Sequence, residues 1–80
     1  MSTVVLMEFN RDDRNFHFLK EIELCSIPTS NDKIVIDIEG IGYIFRVYDV
    51  HYSEESRIDI NLIRLSTITD YLSTGFVDID

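Results

Sequence analysis

The side chains able to do chemistry are few and scattered. His17, Cys25 and His51 are the only soft or borderline metal ligands in this chain of 80 residues. A zinc site needs three or four converging ligands, usually contributed by close-spaced pairs. Cys25 stands well away from His17, and His51 is farther still, so no such pair exists. A nucleophilic Cys25 would need a base and an orienting group, and nothing local suggests either. At a strand end it reads instead as a small buried hydrophobe. Carboxylates occur as short pairs: Asp12-Asp13, Asp37-x-Glu39, Glu54-Glu55 and Asp78-x-Asp80. Asp37 and Glu39 would project from one side of a strand, an arrangement open to two-carboxylate chemistry or a hard cation. No Asp-x-Asp-x-Asp-Gly loop and no glycine-rich phosphate cradle accompanies them. These residues therefore predict solvated strand faces and turns, with no catalytic residue, no metal site and no cofactor: a protein that is not an enzyme.

Charge speaks about partners. Fifteen acidic and 7 basic side chains leave a formal charge of −8. The acidity is spread along the chain, because each half of 40 residues carries a net −4 (4 basic against 8 acidic, then 3 against 7). Phosphate-backbone binding depends on clustered Lys and Arg. Here Arg11, Arg14, Lys20, Lys33, Arg46, Arg57 and Arg64 stand singly, most beside an acidic neighbour. Direct nucleic-acid binding is disfavoured, and a basic or nucleic-acid-binding protein is the expected partner. No apolar run approaches the roughly 18 residues of a spanning helix. No secretory signal pattern opens the sequence. One unpaired cysteine then points to a reducing, cytoplasmic setting.

Size permits a single domain, 1–80, with a thin stability margin. Packing or self-association must supply what disulfides and metals do not, and a homodimer is the natural remedy. Nine aromatic rings, four Tyr and five Phe, exceed what so small a core needs. Tyr48, Val50 and Tyr52 alternate on the face opposite Phe45 and Val47, forming a candidate exposed patch. Asp49, Glu54 and Glu55 would rim it with acid. The expected partner-binding set is therefore Tyr48, Asp49, Tyr52, Glu54 and Glu55.

Period-two alternation places these groups on strands. Thr3–Phe9 and Phe16–Cys25 form the first two, joined by the polar loop Asn10–Asn15. In the second, Phe16, Phe18, Ile22 and Leu24 share a face that Lys20 interrupts, which predicts a bulge or helical turn near Leu19. Ser26–Asp32, with the lone Pro28, is a turn cluster. Lys33–Glu39 alternates with Ile34, Ile36 and Ile38 on one side. Gly40-Ile41-Gly42 should then form a hairpin with a bulge, its two glycines supplying positive φ. Tyr43–Tyr52 places Tyr43, Phe45 and Val47 on one face and Ile44, Tyr48, Val50 and Tyr52 on the other. Its apolar side changes near Tyr48-Asp49, where a bulge is expected. Ser53–Ser56 is a turn, and Arg57–Leu65 a fifth strand with Ile58, Ile60 and Leu62 inward. Ser66 or Thr67 caps a short helix with Asp70 in its first turn and Ile68, Tyr71 and Leu72 on one face. Gly75 would end it. Phe76–Asp80 alternates as a possible edge strand.

The fold class implied is mainly β: a small five-stranded antiparallel, partly open barrel with one short C-terminal helix. Ile27-Pro28, Asp32–Ile36, Gly42–His51 and Ile58–Leu62 carry a cadence that resembles small SH3-like β-barrel proteins of phages and mobile elements. The likeness spans about residues 27–65, with Asn31 where the usual glycine precedes the aspartate. It implies a small binding module of phage type. Together these readings point to an acidic protein-interaction module, in its sharpest form an inhibitor or phosphate mimic acting on a nucleic-acid-handling protein. The alternative is an assembly subunit that self-associates through an edge strand.

Overall fold

The computed structural model describes residues 2–74. Five strands form one sheet, β1 (Ser2–Asn10), β2 (Asn15–Leu24), β3 (Lys33–Ile38), β4 (Ile41–Tyr52) and β5 (Ile58–Thr67), followed by a helix, α1 (Ile68–Thr74). Their spatial order is β2-β1-β5-β4-β3. Gly75 and the segment Phe76–Asp80 lie outside the described residues. The architecture is mainly β with five strands and one short C-terminal helix, as expected, and the sheet curls as a half-barrel.

One pairing departs from an all-antiparallel sheet: β1 and β5 run parallel, Val5 opposite Asp59 through Glu8 opposite Leu62. The cause is parity. Each strand reverses the one before it, so the fifth travels in the direction of the first. Once the Cys25–Asp32 connection carries the chain to the far edge, the returning β5 meets β1 head to head. The other three pairings are antiparallel.

Inward side chains of all five strands make the core. Val4, Leu6, Phe45, Val47, Ile60 and Leu62 are fully enclosed, with Ile36 beside them and Leu19, Ile22, Leu24 and Val50 packed around. Across the open side of the half-barrel the long Lys20 side chain of β2 donates from its ammonium to the Asp37 carbonyl of β3 at 3.0 Å. Glu8 and Arg64 tie β1 to β5. Arg64 Nη2 donates to Glu8 Oε1 at 2.9 Å, while Nε lies 2.8 Å from Oε2 as an ionic contact without hydrogen-bond alignment. The guanidinium also sits 4.4 Å from the Tyr43 ring centroid and 5.4 Å from that of Phe45. Its charge is thus compensated by a carboxylate and two ring faces.

Three bulges set which side chains reach that core. Leu19 is the extra residue of β2, since Lys20 faces Leu6 and Phe18 faces Met7. Tyr48 is the extra residue of β4, since Val47 faces Leu62 and Asp49 faces Asn61. Both fall where the broken alternation predicts them. A third, at Leu65 opposite the Ile44–Phe45 step, leaves no comparable signal. Each extra residue moves the following side chains to the other face. Phe16 and Phe18 therefore lie opposite Phe9 and Met7, away from Ile22 and Leu24, and do not share their face as straight alternation implies. Val50 likewise returns to the core, separated from Tyr48.

The β3–β4 turn also differs from expectation. It consists of Glu39 (φ 53°) and Gly40 (φ 84°), and Ile38 faces Ile41 directly, with no bulge. Two successive positive φ values define the hairpin turn whose twist matches that of the strands. Gly42 instead serves a packing role. A Cβ there would lie 3.2 Å from the Ile68 methyl of α1. The helix packs against β4 and β5, and Ile44, two residues along β4 from Gly42, is 6% exposed. Thr67 is its cap, Oγ1 accepting the Asp70 N–H at 3.1 Å.

Candidate functional site

Outward side chains line up by ladder register, because residues directly opposite share a face. Phe16 of β2 faces Phe9 of β1, and their ring centroids are 5.3 Å apart at 60°. Tyr48 reaches over from β4 to put its ring 5.7 Å from Phe16. It can do so because the bulge turns it out of the ladder. Ile63 lies between these strands, on β5 opposite Arg46. Phe9, Phe16, Tyr48, Ile63 and Arg14 enclose a cleft of about 370 Å³ on the outer face. Phe18, 66% exposed, extends the apolar surface beyond it. An open aromatic surface of this kind, on a chain with a core elsewhere, has the makings of an interface.

The β1–β2 loop holds Arg14 beside the cleft. Asn10 Oδ1 accepts the Asp12 N–H at 2.8 Å, the Asn10 carbonyl accepts the Arg14 N–H at 2.8 Å, and Arg14 adopts φ 59°. Asp13 Oδ1 accepts the Asn15 N–H at 3.0 Å, and Oδ2 lies 2.6 Å from His17 Nε2. Desolvation pulls the Asp13 carboxyl upward, but the His17 hydrogen bond, the backbone N–H groups and the His17 charge together hold it below its ordinary value. A polar hollow of about 300 Å³ opens at the same hairpin between Glu8, Arg11, Asp12 and His17. Two of its groups are already committed, Glu8 to Arg64 and His17 to Asp13.

The expected partner-binding residues do not gather in one place. Tyr48 lines the cleft. Asp49 is on the same outer face, where Oδ1 accepts from Asn61 Nδ2 at 2.6 Å and Oδ2 lies 3.2 Å from His51 Nε2. Asn61, only 9% exposed, thereby satisfies its buried amide. Tyr52, 69% exposed, ends β4 opposite Ile58, on the face of Val50. Glu54 and Glu55 sit in the β4–β5 turn, which the Ser53 N–H closes onto the Arg57 carbonyl at 3.0 Å. Beyond that turn Arg57 Nε meets Asp59 Oδ1 at 2.7 Å, and this hydrogen bond, then the Asp59 charge, raises the guanidinium's affinity for its proton. The aromatic half of the site, Phe9 and Phe16 with Ile63, was hidden by the phase change at Leu19. The interrupting Lys20 was the one signal that could have revealed it.

Remaining chemical groups are dispersed. Cys25 is exposed at the start of the β2–β3 connection, and so is not a buried hydrophobe. Asp37 stays on β3 while Glu39 turns away in the hairpin, which separates that carboxylate pair from a common strand face. Among the described residues no group of three or more His, Cys, Asp or Glu side chains is placed to hold a metal ion, and no helix is long and apolar enough to cross a membrane.

No family model, no curated protein and no solved structure matches this chain.

Proposed function

We propose that this protein is a non-enzymatic interaction module that docks a basic partner protein through the outer face of its sheet. The observation that carries this reading is the cleft of Phe9, Phe16, Tyr48 and Ile63, open beside exposed Phe18. Tyr and Phe in such a setting are the residues that dominate protein interfaces, because they bury large area with little loss of side-chain freedom. The cleft would take one apolar side chain of the partner. Charge selects which partner: at −8 overall, with Asp49 on the same outer face and Glu54 and Glu55 in the β4–β5 turn, the surface favours Lys- and Arg-rich proteins. Proteins that handle nucleic acid present such surfaces, and an inhibitor occupying a phosphate-binding groove is the sharpest form of the proposal.

The test uses two variants of the full chain. Phe16→Ser with Tyr48→Ser removes the walls of the cleft; Glu54→Lys with Glu55→Lys reverses charge outside it. Each is used as bait in nuclease-treated lysate of the source organism, and the captured protein is titrated against wild type at low and high salt. The aromatic variant should weaken binding roughly 30-fold or more, as loss of interface anchors does. The charge variant should chiefly flatten the salt dependence. A captured protein that binds equally to both variants, at either salt, would sink the proposal.

A further inference from the structure

Among the described residues β3 is the last strand of the sheet and pairs on one side only, with β4. The turn after it determines what its other side presents. In a two-residue hairpin the closing pair, here Ile38 and Ile41, exchanges both hydrogen bonds. Ile34, Ile36 and Ile38 therefore spend their backbone groups on β4, while Lys33, Val35 and Asp37 turn N–H and C=O to the open edge. The Lys20 ammonium on the Asp37 carbonyl lies on that open side. The same three residues project their side chains outward. Val35 is 52% exposed, between an exposed cation and an exposed anion.

We propose that this edge pairs with the β3 edge of a second copy, antiparallel, about a two-fold axis at Val35. Val35 then faces the partner's Val35, and Lys33 faces the partner's Asp37 on either side of the axis. Two independent requirements select this one register. The charges are complementary only there, and Lys33, Val35 and Asp37, the residues whose backbone groups turn outward, face one another across the axis. A slip of one residue sets outward-turned groups against inward-turned ones. A slip of two places Lys33 against Val35 and breaks the charge match. Ile34 meets the partner's Ile36 on the inner face, so the apolar layer continues across the axis. The Asp37 carbonyl has a second lone pair, which lets the Lys20 contact and the ladder bond coexist. Charges on an edge strand ordinarily block association. Here their opposite signs, symmetric about Val35, favour this alignment over the others.

The experiment measures the mass of the full chain by native mass spectrometry and sedimentation over a concentration series. Wild type should form a dimer. Lys33→Asp sets acid against acid and Asp37→Lys sets base against base at both symmetric pairs, and each should raise the dimer dissociation constant about tenfold or more. Mixing the two reversed chains restores both pairs, so a heterodimer of the two different masses should appear. Val35→Pro deletes an outward N–H and no β3–β4 bond; it should give a folded monomer by circular dichroism. A wild-type chain that stays monomeric throughout overturns the proposal. So does a dimer whose stability is unchanged by the reversals and by the proline.

Discussion

Phe45, Tyr48 and Val50 occupy one strand within six residues, yet their truncation should have sharply different costs. Phe45 is fully enclosed and supports the Arg64 guanidinium at 5.4 Å. Phe45→Ala forfeits its transfer energy and leaves a cavity, a loss of about 3–5 kcal/mol. For a chain of this length the whole stability is roughly 4–12 kcal/mol, and a loss of about 4 kcal/mol lowers Tm by roughly 15–30 °C. Val50, half-buried against the core, should lose about 1 kcal/mol as Val50→Ala. Tyr48, 52% exposed, has its ring 5.7 Å from that of Phe16, and Tyr48→Ala should cost no more than about 1 kcal/mol. Urea unfolding followed by circular dichroism gives all three values on one m-value. The comparison between Val50 and Phe45 tests the bulge at Tyr48. In an uninterrupted strand Val50 would share the face of Tyr48, away from Phe45. A neutral Val50→Ala, or a Tyr48→Ala as costly as Phe45→Ala, would refute the assignment of faces on which the candidate site depends.

Further outcomes follow from local geometry. Glu39 holds φ 53° in the first position of the β3–β4 turn, ahead of Gly40; Glu39→Asn supplies the residue that tolerates this conformation and should raise stability by about 0.5 kcal/mol, read as a higher urea midpoint at unchanged m. Because the Asp13 carboxyl is held low in the folded chain, its stabilising contribution is complete above the unfolded carboxylate value and disappears as pH falls through the lower folded one. Carboxyl NMR titration should find Asp13 below the other exposed aspartates, and Asp13→Asn should flatten the acid limb of the stability curve; an Asp13 that titrates with its peers contradicts the His17 contact.

Local pattern accounts for most of the framework. Strict alternation in Lys33–Ile38 is enough to put Ile34, Ile36 and Ile38 inward, since a strand has only two faces and one is dry. Thr67 before Ile68 and Asp70 specifies the helix start through a single side-chain cap. Even the bulges at Leu19 and Tyr48 announce themselves, because a charged or polar residue breaks the apolar phase there. What a strand-by-strand reading misses is the consequence of those breaks. A bulge relocates every side chain that follows it, so whether Phe16 belongs with Ile22 or against it depends on the register with β1. Ladder pairing is a long-range property, and so are the parallel meeting of β1 with β5 and the bond from Lys20 to Asp37. The Arg64–Glu8 contact joins residues 56 apart in the sequence. Sequence by itself therefore determined the strands, the helix cap and the acidic balance. Tertiary structure alone decided which aromatics became core and which were left exposed on the outer face.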